Sequence, residues 1–111
     1  MQLITKEIEE KFKAQGNTSG MHPKDIKIIV KFFNPAGAGE WYIYDRDKDS
    51  RDILWGFVNL GDRRFAECGT VSLRELEKIS LPLGLTIERD MHFGQHTLKE
   101  VIDTVKSGGK V

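Results

Sequence analysis

A single cysteine in 111 residues leaves this chain without an internal disulfide and without the thiolate cluster of a structural zinc site, so stability has to come from packing. Net charge is lacking as well. Seventeen Lys and Arg balance seventeen Asp and Glu, which removes the long-range attraction to phosphate expected of a dedicated basic nucleic-acid binder and leaves only local patches. No apolar run approaches the roughly 18 to 20 residues needed to cross a bilayer. Residues 1–12 alternate charged with apolar groups where a secretory signal would be continuously apolar, and a soluble, cytoplasmic protein is expected. Motifs for nucleotide chemistry are missing too: there is no G-x-S-x-G, no phosphate loop and no G-x-G-x-x-G, since Gly37-Ala38-Gly39 lacks the third glycine and leads into a strand. What the chain does have is 39% hydrophobic and 31% charged residues, enough apolar material to fold, in a length suited to one domain spanning residues 1–111.

Periodicity divides that domain into elements. Ile4, Ile8 and Phe12 at four-residue spacing, with Thr5 as N-cap, predict a short amphipathic helix. Residues 16–23, which run through Gly16, Asn17, Thr18, Ser19 and Gly20 to Pro23, are expected to form a flexible loop. From Ile26 the period becomes two, and Ile26, Ile28, Val30 and Phe32 are assigned to one apolar face of a strand that ends at Asn34 and Pro35. Trp41 to Tyr44 and Ile53 to Leu60 predict two further strands joined by a charged tip, and residues 65–71 a weaker fourth. Ser72-Leu73-Arg74-Glu75 and Thr97-Leu98-Lys99-Glu100 read as capping boxes opening two more helices, the second with Leu98, Val101, Ile102 and Val105 as its stripe. Residues 85–93 alternate as an extended segment, and 107–111 are expected to fray. The order implies an α+β fold: an antiparallel meander of about four to five strands packed by three short helices, expected to cover the one sheet face that carries Ile28, Val30 and Phe32.

Several residue groups are equipped for chemistry. His92 and His96 have the H-x3-H spacing of half a zinc site, with His22, Cys68, Glu88 or Asp90 as the only sources of further ligands, but Gly94 lies between them and the segment is not one helix. Asp45, Asp47 and Asp49 begin like a calcium loop, which then requires Gly and Glu where this chain has Ser50 and Gly56. Glu88, Asp90 and His92 fall on one side of the predicted extended segment, with neighbouring alpha carbons about 6.5 to 7 Å apart, and form a candidate acid–base row. An ordinary half-exposed strand accounts for the same row without catalysis. Arg89, on the opposite apolar side, is expected to pair structurally. Cys68 has no Cys-His signature around it and is expected to be a buried, inert thiol. Trp41, Tyr42, Tyr44, Trp55 and Phe57 are concentrated on two strands, where they can serve either as a stacking platform for unpaired bases or as core. The part of the chain that carries them, residues 34–69, holds five basic against seven acidic groups, the wrong sign for gripping a phosphate backbone.

A string of blocks carries a resemblance: Val30-Lys31-Phe32-Phe33-Asn34-Pro35, Glu40-Trp41-Tyr42, Trp55-Gly56-Phe57-Val58, Glu67-Cys68-Gly69-Thr70-Val71-Ser72-Leu73-Arg74-Glu75-Leu76 and, most specific, Pro82-Leu83-Gly84-Leu85-Thr86-Ile87-Glu88-Arg89-Asp90-Met91-His92-Phe93. In these the chain resembles the domain-of-unknown-function family 2958, found in bacteria and often on plasmids and integrated conjugative elements. The resemblance implies a setting and assigns no catalytic residue or cofactor. The function expected from all of this is binding without catalysis, by a small accessory protein of a mobile element whose partner is another protein, with Trp41, Tyr42, Tyr44, Trp55 and Arg89 as the candidate contacts. Single-stranded nucleic-acid binding and a small hydrolase using Glu88, Asp90 and His92 are the alternatives. No cofactor, metal or membrane is called for, and the oligomeric state is left open.

Overall fold

In the computed structural model, which describes residues 2–111, five strands form one antiparallel sheet in the order β4-β3-β2-β1-β5. The elements run α1 (Lys6–Gln15), β1 (Val30–Phe33), β2 (Glu40–Arg46), β3 (Ile53–Asn59), β4 (Glu67–Ser72), α2 (Leu73–Lys78), β5 (Glu88–Arg89) and α3 (Leu98–Lys106), with single 3-10 turns at Pro23–Asp25, Arg63–Phe65 and Pro82–Gly84. Strands β1 to β4 are a meander, because each connection is too short for a crossover. The α+β architecture and the antiparallel sheet follow the periodicity of the sequence. No helix among the described residues is long and apolar enough to cross a membrane.

The helices cover both faces of the sheet, not one. Ile8 and Phe12 of α1 and Leu76 of α2 pack on Val30, Phe32, Trp41, Ile43 and Leu54. Leu98, Val101 and Val105 of α3 pack on the opposite face, against Tyr42, Tyr44 and Phe57. Strand β2 is therefore buried on both sides, and its continuous run Trp41-Tyr42-Ile43-Tyr44 is the signature of a two-sided interior strand. The predicted face Ile26, Ile28, Val30 and Phe32 does not exist as one surface: Ile26 and Ile28 join the α3 core while Val30 and Phe32 join the α1 core. The backbone changes layer at this point. Ile28 N–H donates to His96 O and Leu98 N–H to Ile26 O, so residues 26–28 pair with the entry to α3, and β1 begins only at Val30. Ile29 N–H donates to Ile43 O while Val30 is also the register partner of Ile43, so the alternation slips there.

Local capping behaves largely as the sequence indicates. Thr5 accepts from Ile8 N–H, and Thr97 and Glu100 make the full reciprocal box on α3. At α2, Ser72 Oγ accepts from Glu75 N–H at 3.2 Å as expected, but the return bond is not made by Glu75, and it is the Asp52 carboxylate that accepts from Ser72 Oγ at 2.6 Å and from Arg74 N–H at 2.8 Å. The loop at 16–23 is anchored through Thr18, which is buried and donates N–H and Oγ1 to Asp45 Oδ2 at 2.9 and 2.6 Å. The 107–111 tail does not fray but returns to the sheet, with Gly109 N–H on Thr104 O and Val111 against the α3 core. Leu85 to Phe93 is not one extended segment, because β5 ends at Arg89 and the chain turns at Met91 and His92.

Gly56 is required by a close approach. A Cβ there would lie 2.8 Å from Ile43 Cδ1 and 2.9 Å from the Tyr42 carbonyl, beside the register shift between Ile43 and Asp45. Gly56→Ala is expected to destabilise by about 1 to 3 kcal/mol, as overpacking does, read as a lower urea midpoint at unchanged slope. A second expectation concerns pH. The Ser72 hydroxyl, and after it the Arg74 amide, hold the Asp52 carboxyl below its ordinary range. A depressed folded-state value contributes stability above the unfolded value and loses it as pH falls through the folded one, so Tm should drop on acidification and Asp52→Asn should flatten part of that drop.

Candidate functional site

The residues singled out from the sequence separate into three places. Trp41, Tyr42 and Tyr44 are 7%, 0% and 9% exposed and belong to the two cores, so they cannot act as a stacking platform; Trp55, at 40%, is the one open ring of the group. Arg89 lies beside Phe32 in the register and donates from Nη1 to the Gln2 carbonyl at 2.6 Å, tying the start of the chain to β5. The Glu88, Asp90 and His92 row does not gather: Glu88 stays on β5 opposite Phe33, Asp90 turns to Lys31, and His92 is exposed on the following turn with its N–H on Asp90 Oδ1. His96 is engaged elsewhere, its Nδ1 3.2 Å from Glu100 Oε2 and its ring 4.9 Å from that of Phe93. That contact, with the Thr97 amide, holds the Glu100 carboxyl below the usual range. Among the described residues no three His, Cys, Asp or Glu side chains converge in a way that could hold a metal ion.

Cys68 is exposed, not buried as expected. Its thiol nonetheless lies against the sheet at the Tyr44 hydroxyl. Burial pushes its pKa up, and the Tyr44 hydrogen bond pulls less strongly the other way, which makes it a poor nucleophile at neutral pH.

A buried ionic cluster was not anticipated. Lys31 sits on the α3 face of β1 with only 9% of its side chain exposed, and its ammonium lies 3.1 Å from Glu40 Oε2, 3.6 Å from Asp90 Oδ2 and 3.3 Å from the Val111 carbonyl oxygen. The Tyr42 and Phe93 rings flank it at 5.3 and 6.0 Å. Tyr42 donates its hydroxyl to the same Glu40 oxygen at 2.9 Å. Burial, then the Glu40 charge, raises its pKa and keeps the phenol neutral. The cluster forms one wall of a cleft of about 460 Å³ bordered by Asn34, Gly39, Asn59 and Lys110. Within the cluster the Lys31 ammonium is answered by both carboxylates, Glu40 and Asp90. The available signal in the sequence was a lysine inside an otherwise apolar strand, which requires a carboxylate from another element.

The larger concavity, about 910 Å³, lies between the C-terminal end of α1, the 16–23 loop and the far end of β2 and β3. Its apolar lining comes from Phe12, Met21, Ile26, Tyr44, Trp55 and Leu98. Of the acids at its wall, Glu9 Oε1 accepts from Arg51 Nη2 at 2.6 Å and Arg46 Nη1 at 3.4 Å, Asp45 holds Thr18, and Asp47 accepts the Asp49 N–H at 3.0 Å. The cations Lys13, Lys48 and Arg51 stand exposed at the rim. Gln15, at the end of α1, donates Nε2 to the Lys27 and Tyr44 carbonyls.

Removing one member of the ionic cluster leaves the others desolvated. Lys31→Met is expected to cost about 3 kcal/mol in chemical denaturation, whereas the same change combined with Glu40→Gln and Asp90→Asn should recover much of that loss.

No curated protein and no solved structure matches the chain. The family described as protein of unknown function (DUF2958) matches residues 3–111, from the residue that α1 follows through all five strands to the docked tail. The chain belongs to that family.

Proposed function

We propose that this protein is a non-catalytic protein-binding module, and that the groove at Trp55 receives an apolar side chain of a partner segment flanked by acidic residues. The single observation behind this reading is the contrast between Trp55 and the other aromatic residues of β2 and β3. Trp41, Tyr42, Tyr44 and Phe57 are spent on the cores, while Trp55 stands 40% exposed at the mouth of an apolar concavity. Exposed aromatic anchors set in well-formed pockets are the usual carriers of interface energy. The lining supplies the sign: it holds four cations, Lys13, Arg46, Lys48 and Arg51, against three acids, Glu9, Asp45 and Asp47, and Glu9 is already neutralised by Arg46 and Arg51, so acidic groups are favoured there over basic ones.

The reading sets the protein in the bacterial cytoplasm, as an accessory factor of a plasmid or an integrated conjugative element. Single-stranded nucleic acid is the weaker occupant, since one open ring cannot stack successive bases. A hydrolase built on Glu88, Asp90 and His92 is weaker still, because Asp90 is neutralised by Lys31 and His92 lies past the turn.

Selection from a displayed random-peptide library should return sequences with a large apolar residue beside Asp or Glu. Trp55→Ala should weaken the best of these by about 30-fold, a loss of about 2 kcal/mol, measured by titration calorimetry. Trp41, buried, serves as the internal fluorescence reference while Trp55 shifts on binding. A library that yields no binder sensitive to Trp55→Ala overturns the reading.

A further inference from the structure

The sheet has two edges and they are not alike. β5 is two residues long, both charged, and ends in a turn, so it offers little to a further strand. β4 is six residues long, pairs with β3 without a bulge over its whole length, and carries Glu67 as its only charge, with no proline. The direction of its free groups can be worked out. The ladder continues one step past Ser72, where Leu73 N–H donates to Asp52 O, so counting back by two assigns the N–H and C=O of Val71, Gly69 and Glu67 to β3. The other side of β3 agrees: Asp47 N–H donates to Ile53 O, so Ile53, Trp55 and Phe57 face β2 and Leu54, Gly56 and Val58 face β4. Cys68, Thr70 and the Ser72 N–H are thereby aimed outward. Among the described residues, no backbone or side-chain group of the chain bonds to them there.

We propose that this edge pairs with a second copy of the chain, β4 against β4 in antiparallel sense around a two-fold axis at Thr70. A two-fold axis normal to the sheet keeps each face on its own side, so opposite residues must come from the same alternating set. The register that meets every outward group then sets Thr70 against Thr70 and Cys68 against Ser72. These are neutral pairs, and a cross-strand threonine pair is itself favourable. No like charges meet in the register, and the zero net charge of the chain removes the long-range repulsion that would keep two copies apart. Trp55 neighbours Thr70 in the register and points to the same face. The dimer therefore sets its two tryptophans side by side, about 15 Å apart between alpha carbons, making the assembly bivalent.

The sole cysteine lies on this strand, so the test needs no added label site. With a nitroxide on Cys68, the two alpha carbons of the pair stand about 14 Å apart across the axis, close enough for dipolar broadening of the spectrum. Sedimentation equilibrium should show monomer converting to dimer as concentration rises, with broadening that tracks the dimer fraction and disappears on dilution with unlabelled protein. Thr70→Pro deletes an outward N–H while leaving the β3 ladder intact, and should give a monomer with unchanged circular dichroism. Thr70→Lys, which sets like charges at the axis, should do the same and serves if the proline variant does not fold. A chain that stays monomeric up to millimolar concentration overturns the proposal. So does a dimer without broadening, or one that survives Thr70→Lys.

Discussion

The β1 end of the α3 face is arranged around one buried ammonium. Lys31 occupies a position in β1 where an apolar residue would ordinarily complete the core, and a charge there is tolerable only with carboxylates brought to it. Glu40 comes from the paired strand β2 and Asp90 from the residue after β5, while the Val111 carbonyl closes the remaining side. Asp90 carries the β1–β5 pairing one step further, its N–H on the Lys31 carbonyl, and sends its carboxylate to the ammonium before the chain turns at Met91 and His92. Tyr42 is drawn in as well, giving its hydroxyl to Glu40. One lysine thus draws together the docked tail and the Asp90 carboxylate that the predicted acid–base row would have needed.

Burying β2 on both faces decides where recognition can occur. Helices on each side consume the aromatic residues of the centre and leave the corner where Trp55 and Thr70 meet exposed. Groove and open edge are neighbours for that reason: both lie where the helical layers stop short of the sheet. Their chemistries differ. The groove offers apolar surface with a cationic rim, while the edge offers backbone hydrogen bonds with little side-chain selectivity. A small sheet whose layers do not extend to its last strand has both available.

Legibility varied with the range of the interaction. Helix α3 was readable because Thr97, Glu100 and the Leu98, Val101, Val105 stripe act within two turns of one another. The run Asp45 to Asp49 departs from the calcium-loop template at Ser50 and Gly56, but nothing local showed that Asp45 reaches back to Thr18 across the fold. Cys68 was misplaced because a strand at the sheet edge has one side chain set without a covering helix, and exposure of that kind depends on strand order. Trp55 could not be told from Trp41, since both sit in apolar runs of high strand preference and differ in tertiary placement: Trp41 is covered by the α1 core, while Trp55 faces the other side and stays 40% exposed.

The sequence by itself determined the order of elements, the antiparallel meander and most of the caps, because hydrophobic period, turn residues and capping pairs act over a few residues. Only the tertiary structure decided which face each side chain took. Two register slips, one at Ile29 against Ile43 and one at Tyr44, move whole sets of residues from one layer to the other, and each exists only once distant strands have paired. The partners of Lys31, the exposure of Trp55 and the outward amides of β4 all follow from those slips and from strand order, which is why none of them could be read from local pattern.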